Sequence, residues 1–235
     1  MFLPLHDGVP LRYLRAPLAT RFLIGACTVA YPLIFFGPVG PEWIVAGFGL
    51  IPAVFFGTEA LPEGLPFVPV QATLLTSIFL HGSLIHLLGN MLFLWVFGDN
   101  VEDAMGHVRF LGFFLLCGAA AGLTHAFLDP ESQRPLIGAS GSVSGVVAAY
   151  LILYPRVRLW GLFLQGIPLR VPAYGAIGFW ICFQAVSAYF LTDDGIGWFA
   201  HLGGFAAGAV LILVMRRRYD PLLARLEAHQ LRSSR

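Results

Sequence analysis

The stretch Leu136-Ile137-Gly138-Ala139-Ser140-Gly141-Ser142-Val143-Ser144-Gly145-Val146-Val147-Ala148-Ala149-Tyr150-Leu151-Ile152-Leu153-Tyr154 decides how the chain is read. Its second half is an apolar run. Its first half alternates hydroxyls, at Ser140, Ser142 and Ser144, with glycines, at Gly138, Gly141 and Gly145. Lipid offers a hydroxyl no water partner, so these side chains need a protein partner or a chemical task. Ser140, set between glycines at the mouth of the segment, reads as a nucleophile working inside a bilayer. The rest of the chain then has to provide its base, its oxyanion donors and its water.

The composition agrees with a membrane setting. Of 235 residues 57% are hydrophobic and 11% are charged, and the mean hydropathy is +0.77. A soluble domain would carry about a quarter charged residues. The expected class is therefore an all-α, polytopic membrane protein in contact with the lipid bilayer, with no room for a second globular domain and no nucleic-acid partner. Cys27, Cys117 and Cys182 fall in three separate apolar segments and read as free thiols packed like small apolar residues.

Hydropathy divides the chain into a head (1–21), a membrane domain (22–215) and a basic tail (216–235). The expected spans are 22–36, 72–98, 110–127, 136–154, 171–191 and 196–215. Between the first two lies a loop, 37–71, with six prolines and several apolar clusters. Prolines at that density exclude a straight span, so this loop is expected to be partly helical and to lie at the membrane surface. All 14 basic residues are arginine. With six spans, thirteen of them fall on the face of the two termini and only Arg134 on the other. That bias makes the first face cytoplasmic.

Polar groups inside spans are costly and are functional candidates. The informative ones are His81, His86 and Asn90 in the second span, Ser140 in the fourth and His201 in the sixth. Ser140 stands 16 residues before Arg156, and His201 stands 15 before Arg216. At about 1.5 Å per residue both lie roughly 22 to 24 Å above the inner boundary, at one level near the outer surface. Gly141 and Gly145 form one small-xxx-small seam, and Gly204 and Gly208 form another. If the seams face each other, a hydroxyl and an imidazole meet, as a general-base pair requires. His86 and Asn90 share a helix face at i, i+4, and also read as an interhelical polar clamp. Ser142 and Ser144 read as back-bonded to the helix. No carboxylate joins the histidines and His-Glu-x-x-His is absent, so no metal or other cofactor is expected. Asp193 and Asp194 sit in a loop, which argues against an intramembrane aspartyl pair.

Taken together, His81-Gly82-Ser83-Leu84-Ile85-His86-Leu87-Leu88-Gly89-Asn90, Phe97-Gly98-Asp99-Asn100-Val101-Glu102-Asp103, Gly138-Ala139-Ser140-Gly141 and Ala200-His201-Leu202-Gly203-Gly204 resemble the rhomboid intramembrane serine proteases of the bacterial six-span type. The resemblance covers nearly the whole chain. It implies a six-helix rhomboid-like bundle with a membrane-associated first loop, Ser140 as nucleophile and His201 as its base. It also implies that His86, Asn90 and the surroundings of Gly138 and Gly141 receive the oxyanion and the substrate, with His81 in support. Span five and the loop before His201 correspond to the family's substrate gate and cap. The partners implied are transmembrane proteins with helix-weakening residues, in a cell inner membrane with both termini cytoplasmic. One departure stands out: the position one turn after the serine, aromatic in some members, is Ser144, which leaves open what orients the His201 ring. A catalytically silent rhomboid-like protein that binds or escorts membrane proteins is the alternative, although such relatives typically lack the serine or the histidine, and both are present.

Overall fold

A computed structural model of the chain describes residues 2–163, 166–190 and 197–217. The turn at Thr192-Asp193-Asp194-Gly195 and the tail from residue 218 onward lie outside the described residues.

The protein is mostly helical. Among the described residues five helices are long and apolar enough to cross a membrane: α1 (Leu18–Phe36), α5 (Leu84–Met105), α6 (His107–Leu128), α8 (Ala173–Phe190) and α9 (Trp198–Met215). The serine-bearing helix α7 (Ser140–Leu153) is apolar but has only 14 residues. The loop after α1 is partly helical, as its prolines suggest. It holds α2 (Pro41–Phe48) and α3 (Pro52–Phe55), each with proline at its first position, where the missing N–H costs nothing.

The second span needs correction. It does not run straight from Ala72. Single turns of helix at Val70–Ala72 and Ser77–Phe79 flank α4 (Thr73–Thr76), the chain then breaks, and α5 starts at Leu84. Ser83 caps it by accepting the N–H of His86 at 3.2 Å. At the other end α5 runs seven residues past Gly98 to Met105, and it turns into α6 through Gly106 at φ +89°. The segment 99–109, which falls between the expected second and third spans, is therefore mostly helix. The carboxylates of Glu102 and Asp103 are buried because the head satisfies them. Asp103 accepts the N–H groups of Arg12, Tyr13 and Leu14 at 3.0, 2.8 and 2.8 Å. Glu102 accepts from Ala19 N, Thr20 N and Thr20 Oγ1 at 2.9, 2.7 and 2.6 Å, and also meets the His107 ring. These are amides that α1 leaves unbonded at its start, so Glu102 caps a helix from 82 residues away.

A small antiparallel sheet in the order β1-β2-β3 joins the head to the connector after α7: β1 (Phe2–His6), β2 (Arg158–Phe163) and β3 (Ile167–Pro172). Hydropathy shows no sign of it. Asp7, next to β1, accepts from Asn100 Nδ2 at 2.9 Å and from Tyr150 OH at 2.8 Å, and thereby ties the head to α5 and α7.

At the centre stands α7, packed against α9, α6 and α5. Eleven of its residues are buried. Tyr150, Phe97, Phe110, Phe113 and Phe114 fill the core around it, while Phe22, Phe36, Ile85, Val108, Tyr189 and Val214 point outward. An apolar outer surface around an apolar core is the pattern of a bundle bathed in lipid.

Candidate active site

Ser140 is the first residue of α7. The chain enters it through Gly138 at φ +122°, a conformation that disfavours any residue with a Cβ. The entry is pinned. Gly138 N–H donates to Ser77 O at 2.9 Å, and Leu50 and Leu136 exchange N–H···O bonds of 3.1 and 2.7 Å. A Cβ on Gly138 would also lie 2.6 and 2.8 Å from Cε1 and Nε2 of His86. The imidazole of His86 thus rests directly on the backbone beside the serine.

His201 lies one turn into α9, and its Nε2 is 2.8 Å from Ser140 Oγ. The two glycine seams do face each other. A Cβ on Gly204 would strike the backbone of Gly141, and one on Gly208 would strike that of Gly145. The seams let α7 and α9 approach backbone to backbone, and the pair forms where they meet. Both Ser140 and His201 are partly exposed, while the lower turns of α7 are closed off.

The other expected site residues gather here with different partners. Asn90 Nδ2 bonds the His86 carbonyl at 3.1 Å and has a second N–H left over. His81 is fully buried, with Nδ1 3.3 Å from Phe79 O and Nε2 3.5 Å from the N–H of Ala139. Its ring lies 5.2 Å from that of His86. His81 therefore holds the loop that delivers the serine. Gly141 has Ala121 of α6 against its missing Cβ. Ser144 Oγ donates to Ser140 O at 2.7 Å, the expected back-bond to the helix, but Ser142 Oγ, expected to do the same, is buried with no hydrogen-bond partner among the described residues.

Sequence reasoning passed over one residue. Gln184 of α8 is buried, and its Oε1 is 3.0 Å from His201 Nδ1. An amide inside an otherwise apolar span was the available signal. Trp180 and Trp198 border the same imidazole, with ring centroids 6.5 and 6.0 Å away. Among the described residues no group of three or more His, Cys, Asp or Glu side chains gathers as a metal site.

Chemically, the arrangement pairs a hydroxyl with an imidazole at a helix N-terminus. The first amides of α7 have no partner within the helix and carry its positive dipole end toward that hydroxyl. Such an array can activate a nucleophile and receive an oxyanion.

Comparison with known proteins bears on this arrangement directly. Residues 70–218 match the Rhomboid domain. RHOMBOID-like protein 5 of Arabidopsis thaliana is 27% identical over 148 residues, 62% of this chain and 45% of that protein. Rhomboid protein 1, mitochondrial, of Saccharomyces cerevisiae is 29% identical over 154 residues, 61% of this chain and 42% of that protein. Inactive rhomboid protein 1 of Drosophila melanogaster is 37% identical over 93 residues, 37% of this chain and 6% of that protein. The chain thus spans less than half the length of these relatives. The matched stretch contains His81, His86, Asn90, Ser140, Gln184 and His201, and with more than half of its length under that model this multi-pass helical membrane chain belongs to the rhomboid family.

Proposed function

We propose that the chain is an intramembrane serine endopeptidase that hydrolyses peptide bonds in or beside the transmembrane helices of other membrane proteins. The observation that carries this reading is the 2.8 Å separation of Ser140 Oγ and His201 Nε2 at the N-terminus of α7. Ser140 Oγ attacks the scissile carbonyl while His201 Nε2 takes its proton, a transfer worth about 10² to 10⁴ in rate. The oxyanion meets the free amides at the start of α7, the His86 ring and the unused N–H of Asn90. Each such donor is typically worth about 3 to 4 kcal/mol. His201 then protonates the leaving amine, and water, deprotonated in turn by His201, hydrolyses the acyl-enzyme.

The length of α7 supports a wet site below the membrane surface. Fourteen residues span about 21 Å, which leaves the serine about 9 Å short of the far side of a hydrocarbon core of about 30 Å. A substrate helix hides its carbonyls in its own hydrogen bonds and has to unwind before attack. Substrates with glycine, proline or other helix-weakening residues near the cut are favoured for that reason. The arginine bias favours an orientation with the head and tail cytoplasmic, and the family resemblance favours a cell inner membrane.

The test is cleavage of a model transmembrane substrate in liposomes. The wild-type chain cuts, and Ser140→Ala and His201→Ala do not. Persistent cutting by Ser140→Ala overturns the assignment. A second reading, a silent membrane-protein binder, is favoured by the similarity to the Drosophila protein named inactive. It requires that wild type and Ser140→Ala hold the substrate equally and that neither cuts it.

A further inference from the structure

We propose that Gln184 is a positioning residue for the dyad: its Oε1 accepts the Nδ1–H of His201 and holds the imidazole in the one tautomer that can serve as base toward Ser140. The inference rests on the protease reading above and adds a third helix to its machinery.

For His201 to take a proton from Ser140, its Nε2 must present a lone pair, so the ring proton must sit on Nδ1. An Nδ1–H turned inward toward α8, in a part-buried contact, needs an acceptor. The side-chain oxygen of Gln184, 3.0 Å away, is that acceptor. The amide has its own reason to be there. Gln184 is 5% exposed on a helix whose other side chains are mostly apolar, and a buried amide without a partner is costly. Glutamine and histidine therefore each satisfy the other. The reverse arrangement, with the amide nitrogen donating to Nδ1, would put the ring proton on Nε2 and leave Ser140 without a base.

No other neighbour described for the ring does this job. Ser144, one turn after the serine, is turned away to the Ser140 carbonyl. The Trp180 and Trp198 rings lie 31° and 89° to the imidazole plane and restrict its tilt, but an aromatic face does not choose between two ring nitrogens. Gln184 answers the question that Ser144 leaves open. A neutral amide steers the ring without adding a charge to the membrane interior, where an unpaired carboxylate would be expensive.

The experiment uses the full chain in detergent and reads two quantities. The first is the rate of labelling by a fluorophosphonate. The second is the tautomer of His201, taken from the imidazole nitrogen shifts of isotopically labelled histidine and assigned by their loss in His201→Ala. Wild type shows the Nδ1–H tautomer. Gln184→Leu keeps the helical fold, shows mixed tautomers and labels about 10- to 100-fold more slowly, as expected for a part-buried donor that loses its acceptor. Gln184→Glu, which retains an acceptor oxygen, restores the Nδ1–H tautomer and most of the rate. A purely structural clamp between α8 and α9 would lower the unfolding temperature of Gln184→Leu and leave tautomer and rate alone. That result overturns the proposal, and so does an Nε2–H tautomer in wild type. Absence of labelling in wild type would sink the protease reading instead, while the tautomer spectra would still decide the role of Gln184.

Discussion

In the proposed protease, catalysis depends on how closely α7 and α9 approach, and Gly204→Ala measures that dependence. The new methyl carbon would lie 2.8 Å from the carbonyl carbon of Gly141 and 3.1 Å from its Cα, and it would strike the Gly141 oxygen as well. Ordinary carbon contacts fall at about 3.5 to 4.0 Å, so the helices must separate by about 0.5 to 1 Å. The obstacle is backbone and cannot swing aside. Gly141 follows Ser140, and Gly204 is one turn beyond His201, so the separation acts at the dyad itself. A 2.8 Å bond lengthened by that amount, to about 3.3 to 3.8 Å, lies at or beyond the edge of hydrogen-bond range. General-base assistance worth about 10² to 10⁴ is then lost, while overpacking costs about 1 to 3 kcal/mol of stability. The assay is fluorophosphonate labelling of folded protein beside its thermal midpoint in detergent. Gly25→Ala, on α1 with open space around the glycine, is the control and labels like wild type. A Gly204→Ala protein that folds and labels at the wild-type rate refutes the seam as the element that sets the dyad.

Further expectations concern the head and the serine helix. Asp103→Asn weakens three part-buried amide bonds between the head and α5 and lowers stability by about 1 to 3 kcal/mol in thermal unfolding, without slowing labelling of the folded fraction. Burial pushes the Asp7 carboxyl above its ordinary value of 3.8. The folded chain then keeps a proton that the unfolded chain has already lost, so stability falls as pH rises from about 3.8 through the folded value and is flat above it. Asp7→Asn removes that slope and melts no lower than wild type at neutral pH, and a lower melting point would contradict the sign. Ser144→Ala gives up one back-bond to the helix and leaves the labelling rate within about 2-fold of wild type.

Much of the site was legible because it depends on local counts. Distances in residues from Arg156 and Arg216 put Ser140 and His201 at one level, and the glycine spacing put seams beside both. The structure joins them where those counts meet. Long-range contacts were not legible. Asp99, Glu102 and Asp103 look like residues that need water, which ended the second span too early. The partners of Glu102 and Asp103 are the amides of a head about 80 to 90 residues away, and nothing in the local pattern announces that. The sheet was missed for the same reason. β2 does alternate, with Leu159 and Gly161 buried between exposed Arg158 and Trp160, but its pairing with β1 joins opposite parts of the chain. Gln184 was hidden by its setting, a single amide averaged into an apolar run. α7 proved shorter than its apolar stretch because the backbone at Gly138 cannot be helical.

One measurement bears most directly on the central claim: intact-protein and peptide mass spectrometry after fluorophosphonate treatment of the membrane-reconstituted chain. The account predicts a single adduct on Ser140, abolished in His201→Ala. An adduct on any other serine, or none in a folded wild-type protein, would contradict it.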